Sequence, residues 1–110
     1  MPAAYVIHKA TNGQFYFNLT AENNEKILTS EMYRDKSGAQ NGIASVRINS
    51  PIDTRYQRKT STDGRPYFLL VAANLEIIGR SETYSSSAAM ENGIAAVKRS
   101  GPGAPIRDEA

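Results

Sequence analysis

Apolar residues first recur with a period of two: Phe15, Phe17 and Leu19 share one face of an extended segment. A shorter stretch of β-forming residues precedes them, and the dipeptide Asn12-Gly13 between the two stretches is typical of a tight hairpin. A third stretch, residues 25–29, follows a polar break. This pattern predicts three antiparallel strands.

The hydrophobic period then changes to about 3.6 residues, since Ala39, Ile43 and Val46 fall at i, i+4 and i+7. Asp35 stands just before this run and is a favourable N-cap residue. Pro51 follows the run and stops the helix. These positions predict one amphipathic helix that lies across the sheet.

The whole pattern occurs twice. Residues 12–50 align without a gap to residues 63–101, with 16 identities in 39 aligned positions. A single copy of about 50 residues would bury only about 60% of its unfolded surface and would be marginally stable. We therefore predict one domain over residues 1–110, made of repeat 1 (4–54) and repeat 2 (55–108).

Two copies related by a pseudo-two-fold axis can join their strands in one sheet, which also covers bare strand edges. The segments after the two helices, Ile52–Thr60 and Ala104–Asp108, are placed to pair with the other repeat. The first of them must also supply the first strand of repeat 2. We expect the intact chain to be a monomer, because its pseudo-two-fold already contains the interface of a dimer.

Three motifs recur in order in both repeats: Gly-x-Phe/Pro-Tyr-Phe-x-Leu at 13–19 and 64–70, Ser-Glu-x-Tyr at 30–33 and 81–84, and Asn-Gly-Ile-Ala-x-Val at 41–46 and 92–97. On these motifs the chain resembles the YegP-like family of small, uncharacterised bacterial proteins. The resemblance implies an α+β fold in which two tandem β(3)-α-β repeats form a single antiparallel sheet, with exchanged C-terminal strands and two helices on one face. It brings no established activity, ligand or catalytic residue.

One position departs from the shared pattern. Pro66 stands where repeat 1 has the aromatic residue Phe15. Because proline cannot donate a backbone hydrogen bond, this change predicts a shorter or edge-like start for that strand.

Cysteine and tryptophan are absent, and His8 is the only histidine. This composition excludes disulfide, thiolate-zinc and cysteine-nucleophile chemistry. No catalytic or nucleotide-binding motif occurs either. We therefore expect a protein that is not an enzyme and has no catalytic residue, metal site or cofactor.

Charge and hydropathy add two expectations. No run of 18 apolar residues and no signal peptide is present, so we expect a cytoplasmic protein without membrane association. The net charge is +2, and the surplus lies in residues 55–110, which hold eight basic and six acidic residues. A surplus of this size fits a weak polyanion contact without requiring one.

The first candidate site is the sheet face away from the helices. If Phe17 and Leu19 point inward, Tyr16 and its repeat equivalent Tyr67 point outward, with Arg58 and Arg65 nearby. Aromatic and basic side chains on an open sheet can stack and neutralise single-stranded nucleic acid. We therefore expect a binding module that uses this face for a protein or polyanion partner.

The second candidate is the duplicated Ser-Glu-x-Tyr motif, which lies in each strand-to-helix connection, where functional residues often occur. Two carboxylates and two tyrosines could form a paired small-molecule or catalytic site. The structural alternative is that the tyrosines close the core edge, while the glutamates bond to backbone amides or to Arg47 and Lys98. The residues concerned are Ser30, Glu31, Tyr33, Ser81, Glu82 and Tyr84.

Overall fold

The computed structural model describes residues 2–110. Repeat 1 forms the strands β1 (Ala4–Lys9), β2 (Phe15–Thr20) and β3 (Lys26–Ser30) and the helix α1 (Lys36–Asn49). After a short 3₁₀ turn (Asp53–Arg55), repeat 2 forms β4 (Tyr56–Thr60), β5 (Pro66–Val71), β6 (Ile77–Arg80), α2 (Ser87–Ser100) and β7 (Ile106–Asp108). The elements confirm the predicted order of three strands and a helix in each repeat.

All seven strands belong to one sheet, in the order β4-β5-β6-β3-β2-β1-β7. The repeats meet where β3 pairs with β6, and Thr29 lies opposite Arg80 there. These two residues are 51 positions apart, which is the offset of the duplication. The pseudo-two-fold axis therefore passes between them, and the predicted α+β architecture of two tandem repeats in one sheet is confirmed.

The sheet is mixed, so the prediction of a wholly antiparallel sheet is wrong at one edge. There β7 pairs with β1 in parallel, and Tyr5 donates its backbone N–H to the carbonyl of Pro105 at 2.8 Å. A strand that returns across a helix can enter a sheet in either direction, whereas a hairpin strand must be antiparallel. The strand after each helix lies in the other repeat, as predicted: β4 after α1 pairs with β5, and β7 after α2 pairs with β1.

Local signals in the sequence act as expected at the helix and hairpin ends. Asp35 caps α1 by accepting the Gly38 N–H at 2.8 Å, and Ser86 caps α2 through Ala89 at 3.1 Å. The hairpin glycine Gly13 has φ of 84°, a conformation that favours glycine in tight turns.

Strand β5 is not shortened, since it starts at Pro66, the position equivalent to the start of β2 at Phe15. Phe15 exchanges two backbone hydrogen bonds with Tyr33, whereas Pro66 only accepts one from Tyr84. The proline therefore removes one hydrogen bond and leaves the strand length unchanged.

The core lies between the sheet and the two helices. Phe17 and Phe68 are fully buried there at equivalent positions, beneath Ile43 of α1 and Ile94 of α2. Both helices therefore cover the same face, and the other face of the sheet is open. No helix in residues 2–110 has the length and apolar character needed to cross a membrane.

Candidate functional site

The tyrosine of each Ser-Glu-x-Tyr motif packs on the glycine in the middle of its repeat's helix. Tyr33 stacks on Phe17, with ring centroids 6.3 Å apart, and a Cβ at Gly42 would lie 2.7 Å from its Cζ. Tyr84 repeats this arrangement on Phe68, at 6.4 Å, and Gly93. The tyrosines thus close the core edge, as the structural alternative predicts.

Both tyrosines are half-buried, and burial raises their pKa. The negative charge of Glu31 raises the pKa of Tyr33 further, and Glu25 and Glu82 do so for Tyr84. The hydroxyl groups therefore stay protonated at neutral pH and lie in a negative field.

The serines of the same motif are committed to the backbone. Ser30 Oγ accepts the N–H of Phe17 at 2.9 Å and donates to the carbonyl of Glu31 at 2.8 Å. Ser81 makes the equivalent pair of bonds with Phe68 and Glu82, at 3.0 and 2.7 Å. These hydroxyls hold the strand-to-helix connection in place and are not free to act as nucleophiles.

The prediction that Glu31 and Glu82 bond to backbone amides or to Arg47 and Lys98 is wrong. Arg47 donates to the carbonyl of Ala104 at 2.7 Å, and Lys98 pairs with Asp53 at 2.6 Å. Both basic residues lie in the last helical turn, about 15 Å along the helix from the motif at about 1.5 Å per residue. The carboxylates of Glu31 and Glu82 are exposed and make no hydrogen bond or ion pair within residues 2–110.

The open sheet face carries Tyr16 and Tyr67, as predicted, but at opposite ends. Across the sheet they are three strand spacings apart, and along the strands they are four residues apart. The distance between the two positions is therefore about 20 Å. The Tyr16 ring stacks on His8, with centroids 5.0 Å apart. The two tyrosines therefore do not form one aromatic cluster.

Arg58 does not lie on the open sheet face, so its predicted place in that site is wrong. It lies opposite Phe68 in the register and shares the helix side of the sheet with that core residue. Its guanidinium binds Glu91 of α2 at 2.6 Å and Asp53 at 3.3 Å. The Glu91 carboxylate is the main cause of the raised pKa of Arg58. Arg65 precedes β5 in the hairpin and pairs with Asp63 at 3.5 Å.

Arg80 takes the place that sequence reasoning gave to Arg58. It is exposed at the centre of the open face, makes no ion pair within the described residues, and lines a cavity of about 390 Å³ with Tyr67. Lys59, opposite Tyr67 on β4, is exposed on the same face. Arg80 lies at the centre of the face because β3 pairs with β6. No local pattern in the sequence predicts that pairing.

Two further cavities are repeat-equivalent grooves. Groove 1, of about 420 Å³, lies between the β2–β3 hairpin and α2, and groove 2, of about 350 Å³, lies between the β5–β6 hairpin and α1. Each joins the hairpin of one repeat to the helix of the other, so sequence reasoning within one repeat missed both. Six equivalent lining positions hold the same residue in both grooves: Ala21/Ala72, Glu25/Glu76, Ile27/Ile78, Tyr84/Tyr33, Asn92/Asn41 and Gly93/Gly42.

A family model described as a domain of unknown function (DUF1508) matches the chain twice, at residues 10–57 and 61–108. These two matches coincide with the two structural repeats. The chain belongs to the DUF1508 family. The family description assigns no function.

Relatives extend the match over nearly the whole chain. A UPF0339 protein from Bordetella pertussis is 54% identical over 107 residues, which are 97% of this chain and 96% of that protein. The UPF0339 protein YegP from Escherichia coli is 46% identical over 108 residues, 98% of each chain. The resemblance to YegP-like proteins inferred from the repeated motifs is therefore confirmed.

Two solution NMR structures of DUF1508 relatives share the fold. A UPF0339 protein from Shewanella oneidensis has a TM-score of 0.91 at 51% identity, over 98% of this chain and 92% of its own. The protein yegP from E. coli, described as of unknown function, has a TM-score of 0.93 at 46% identity, over 99% and 94%. The fold thus has experimental counterparts among these relatives.

Proposed function

We propose that this DUF1508 protein is a non-enzymatic binding module whose open sheet face takes a polyanion, with single-stranded nucleic acid as its ligand. The observation that carries this proposal is the position of Arg80 at the centre of that face, beside Tyr67. Tyr67 is half-buried, and a base can stack on the exposed part of its ring while a guanidinium binds the neighbouring phosphate. Lys59 on β4 supplies a second cation on the same face of the sheet, across Tyr67 from Arg80 on β6.

The modest charge sets the expected strength. With Arg80 and Lys59 as the two phosphate contacts, the logarithm of the affinity falls with the logarithm of salt concentration with a slope of about −1.4. Raising salt from 50 to 200 mM should then weaken binding about sevenfold. The cavity beside Tyr67 is also lined by Ser61, Thr62 and Thr83, whose hydroxyls can bond to base edges or phosphate oxygens. The carboxylate of Glu82 lines the same cavity and weakens the attraction for phosphate.

The test is an amide NMR titration with an oligothymidylate of ten nucleotides at low salt. We expect shifts centred on β5 and β6, and an affinity about tenfold lower for Arg80→Thr, which installs the residue that repeat 1 has at this position. The matched control is Arg99→Ile on α2, on the other face of the sheet, which also removes one positive charge from repeat 2 and copies the residue of repeat 1.

Two results would count against this proposal. One is the absence of shifts on the open face at 50 mM salt. The other is an equal loss of affinity in Arg80→Thr and Arg99→Ile, because that would mean that only net charge matters. Shifts on the open face with a protein partner, and none with the oligonucleotide, would assign the face to protein binding instead.

The alternative function, a small-molecule or catalytic site at the duplicated Ser-Glu-x-Tyr loops, has less support. The hydroxyls of Ser30 and Ser81 are engaged with the backbone. Glu31 and Glu82 line different cavities and so do not form one paired site.

A further inference from the structure

The two grooves share their floors but differ at their rims. Glu22 and Arg99 line groove 1, and Asn24 and Lys26 flank its Glu25. The four equivalent positions in the other repeat, 51 residues away in the sequence, lie around groove 2 and all hold apolar residues. The four pairs are Glu22/Ala73, Asn24/Leu75, Lys26/Ile77 and Arg99/Ile48.

The apolar residues beside groove 2 are also the ones that water reaches. Ile48 and Leu75 are each 70% exposed, and Ile77, which lines the groove, is 44% exposed. These are three of the five exposed large hydrophobic residues in the described chain. Exposed apolar residues gathered at one groove are typical of an interaction site.

Charge distinguishes the two grooves as well. The carboxylates of Glu31 and Glu76 line groove 2, and neither makes an ion pair within residues 2–110. No lysine or arginine is among the lining residues of groove 2, whereas Arg99 lines groove 1. Groove 2 therefore combines an apolar rim with uncompensated negative charge.

We propose that groove 2 binds a peptide segment of a partner protein that carries one arginine or lysine between apolar side chains. The apolar side chains bury Ile48, Leu75 and Ile77, and the cation bonds to the carboxylates of Glu31 and Glu76. The Asn41 side chain lines the same cavity and offers an amide oxygen to the cation. Because Gly42 has no side chain, the Tyr33 hydroxyl lies directly against α1, and both residues line the groove.

The occupant follows from complementarity. A purely apolar segment would leave two carboxylates facing it without a partner, which costs free energy when water is excluded. A purely basic segment would leave the apolar rim in water. Only a segment with both kinds of side chain satisfies both features. This surface is separate from the open sheet face, so the two proposals can fail independently.

The test uses residues that the other repeat already tolerates. The triple variant Ile48→Arg, Leu75→Asn, Ile77→Lys gives groove 2 three of the four rim residues of groove 1. The reciprocal variant Arg99→Ile, Asn24→Leu, Lys26→Ile makes the opposite exchange at the same three positions. The probe is the blocked pentapeptide Ser-Leu-Arg-Leu-Ser, followed by amide NMR. Two comparison peptides replace its arginine by glutamate or both leucines by serine.

We expect the arginine peptide to shift amides of α1 and of the β5–β6 hairpin in the natural chain. The triple variant should lose at least tenfold in affinity, and both comparison peptides should bind at least tenfold more weakly. The reciprocal variant should gain a second set of shifts in α2 and in the β2–β3 hairpin. The amide spectrum of each variant also reports whether it is folded.

Three outcomes would overturn the proposal. The first is unchanged peptide binding in the folded triple variant. The second is equal binding of the arginine and glutamate peptides, which would mean that the carboxylates play no part. The third is a set of shifts at the same amides that depends on protein concentration without peptide, which would assign groove 2 to a second copy of the chain.

Discussion

Gly42 lies in the middle of α1, where glycine costs about 1 kcal/mol relative to alanine. The same residue occurs at Gly93 in α2. In both helices the space of the missing Cβ is taken by the hydroxyl of a tyrosine from the Ser-Glu-x-Tyr motif. The glycine is therefore required by a close contact and not by backbone conformation.

Replacing Gly42 by alanine tests this contact. The added Cβ would collide with the Tyr33 ring, so the free energy of unfolding should fall by about 1–3 kcal/mol despite the better helix propensity of alanine. Urea unfolding measures the change. Gly103→Ala is the control, because no atom lies within 4 Å of its added Cβ, and it should stay within about 0.5 kcal/mol. A stabilised Gly42→Ala variant would show that Tyr33 moves freely.

At the scale of elements, the C-terminus of each helix accepts a hydrogen bond from a tyrosine in the first strand of a repeat. Tyr5 of β1 donates its hydroxyl proton to the carbonyl of Gly101 after α2, at 2.6 Å, and Tyr56 of β4 donates to Ser50 after α1, at 2.7 Å. These bonds satisfy carbonyl groups that a helix C-terminus leaves unpaired. The Tyr5 bond joins the two repeats, since its partners are 96 positions apart.

Burial raises the pKa of both tyrosines well above 10, the ordinary value for an exposed tyrosine. A raised folded-state pKa stabilises the fold fully below the unfolded-state pKa, and this contribution is lost as the pH rises. We therefore expect that these tyrosines do not make the free energy of unfolding depend on pH near neutrality. Above a pH of about 10, the free energy of unfolding should decline. Urea unfolding at a series of pH values measures this profile.

Tyr5→Phe is the matched variant. It should lose about 1 kcal/mol at neutral pH, because the hydrogen bond to Gly101 is removed. Its alkaline decline should be shallower, because one tyrosine fewer titrates from a buried position. An alkaline profile identical to that of the natural chain would mean that other groups cause the decline.

Over the whole molecule, positions near the pseudo-two-fold axis hold different residues in the two repeats. Leu28 packs against Gly79, and a Cβ at Gly79 would lie 3.1 Å from the Leu28 Cγ. Ser50 likewise fills the space beside Gly101. Two leucines or two serines could not occupy these sites together. Tandem duplication allows such unequal pairs, which a symmetric dimer of identical chains cannot have.

The intact chain is predicted to be a monomer, and a fragment ending near residue 60 should not form a stable monomer. The fragment lacks β7, which covers β1, and lacks the β6 partner of β3. It should therefore dimerise or unfold. Sedimentation equilibrium of both chains measures this. A stable dimer of the full chain, or a folded monomeric fragment, would contradict the prediction.

Much of the fold could be predicted from the sequence because its signals are local. The cap at Asp35 and the turn glycine Gly13 act within a few residues, and the duplication showed that both repeats must fold alike. The parallel edge at β7 was missed, since a strand that follows a helix carries no local sign of its direction.

The candidate sites were less predictable, because they depend on which strands pair and in what register. The alternation of residues placed Tyr67 on the open face correctly. In β3 and β6, however, a β-bulge opposite Thr20 and Val71 interrupts the alternation, so that simple counting no longer tells which side chains face the core. The central position of Arg80 and the capture of Arg58 by Glu91 follow only from those pairings.

The sequence by itself determined the two repeats, their strands, helices and caps, and the exclusion of cysteine chemistry, because these depend on residue types and short spacings. Tertiary structure alone decided the mixed sheet, the grooves between repeats and the cations left free on the open face. These features arise from contacts between residues far apart in the chain, whose geometry is set by the packing of one repeat on the other.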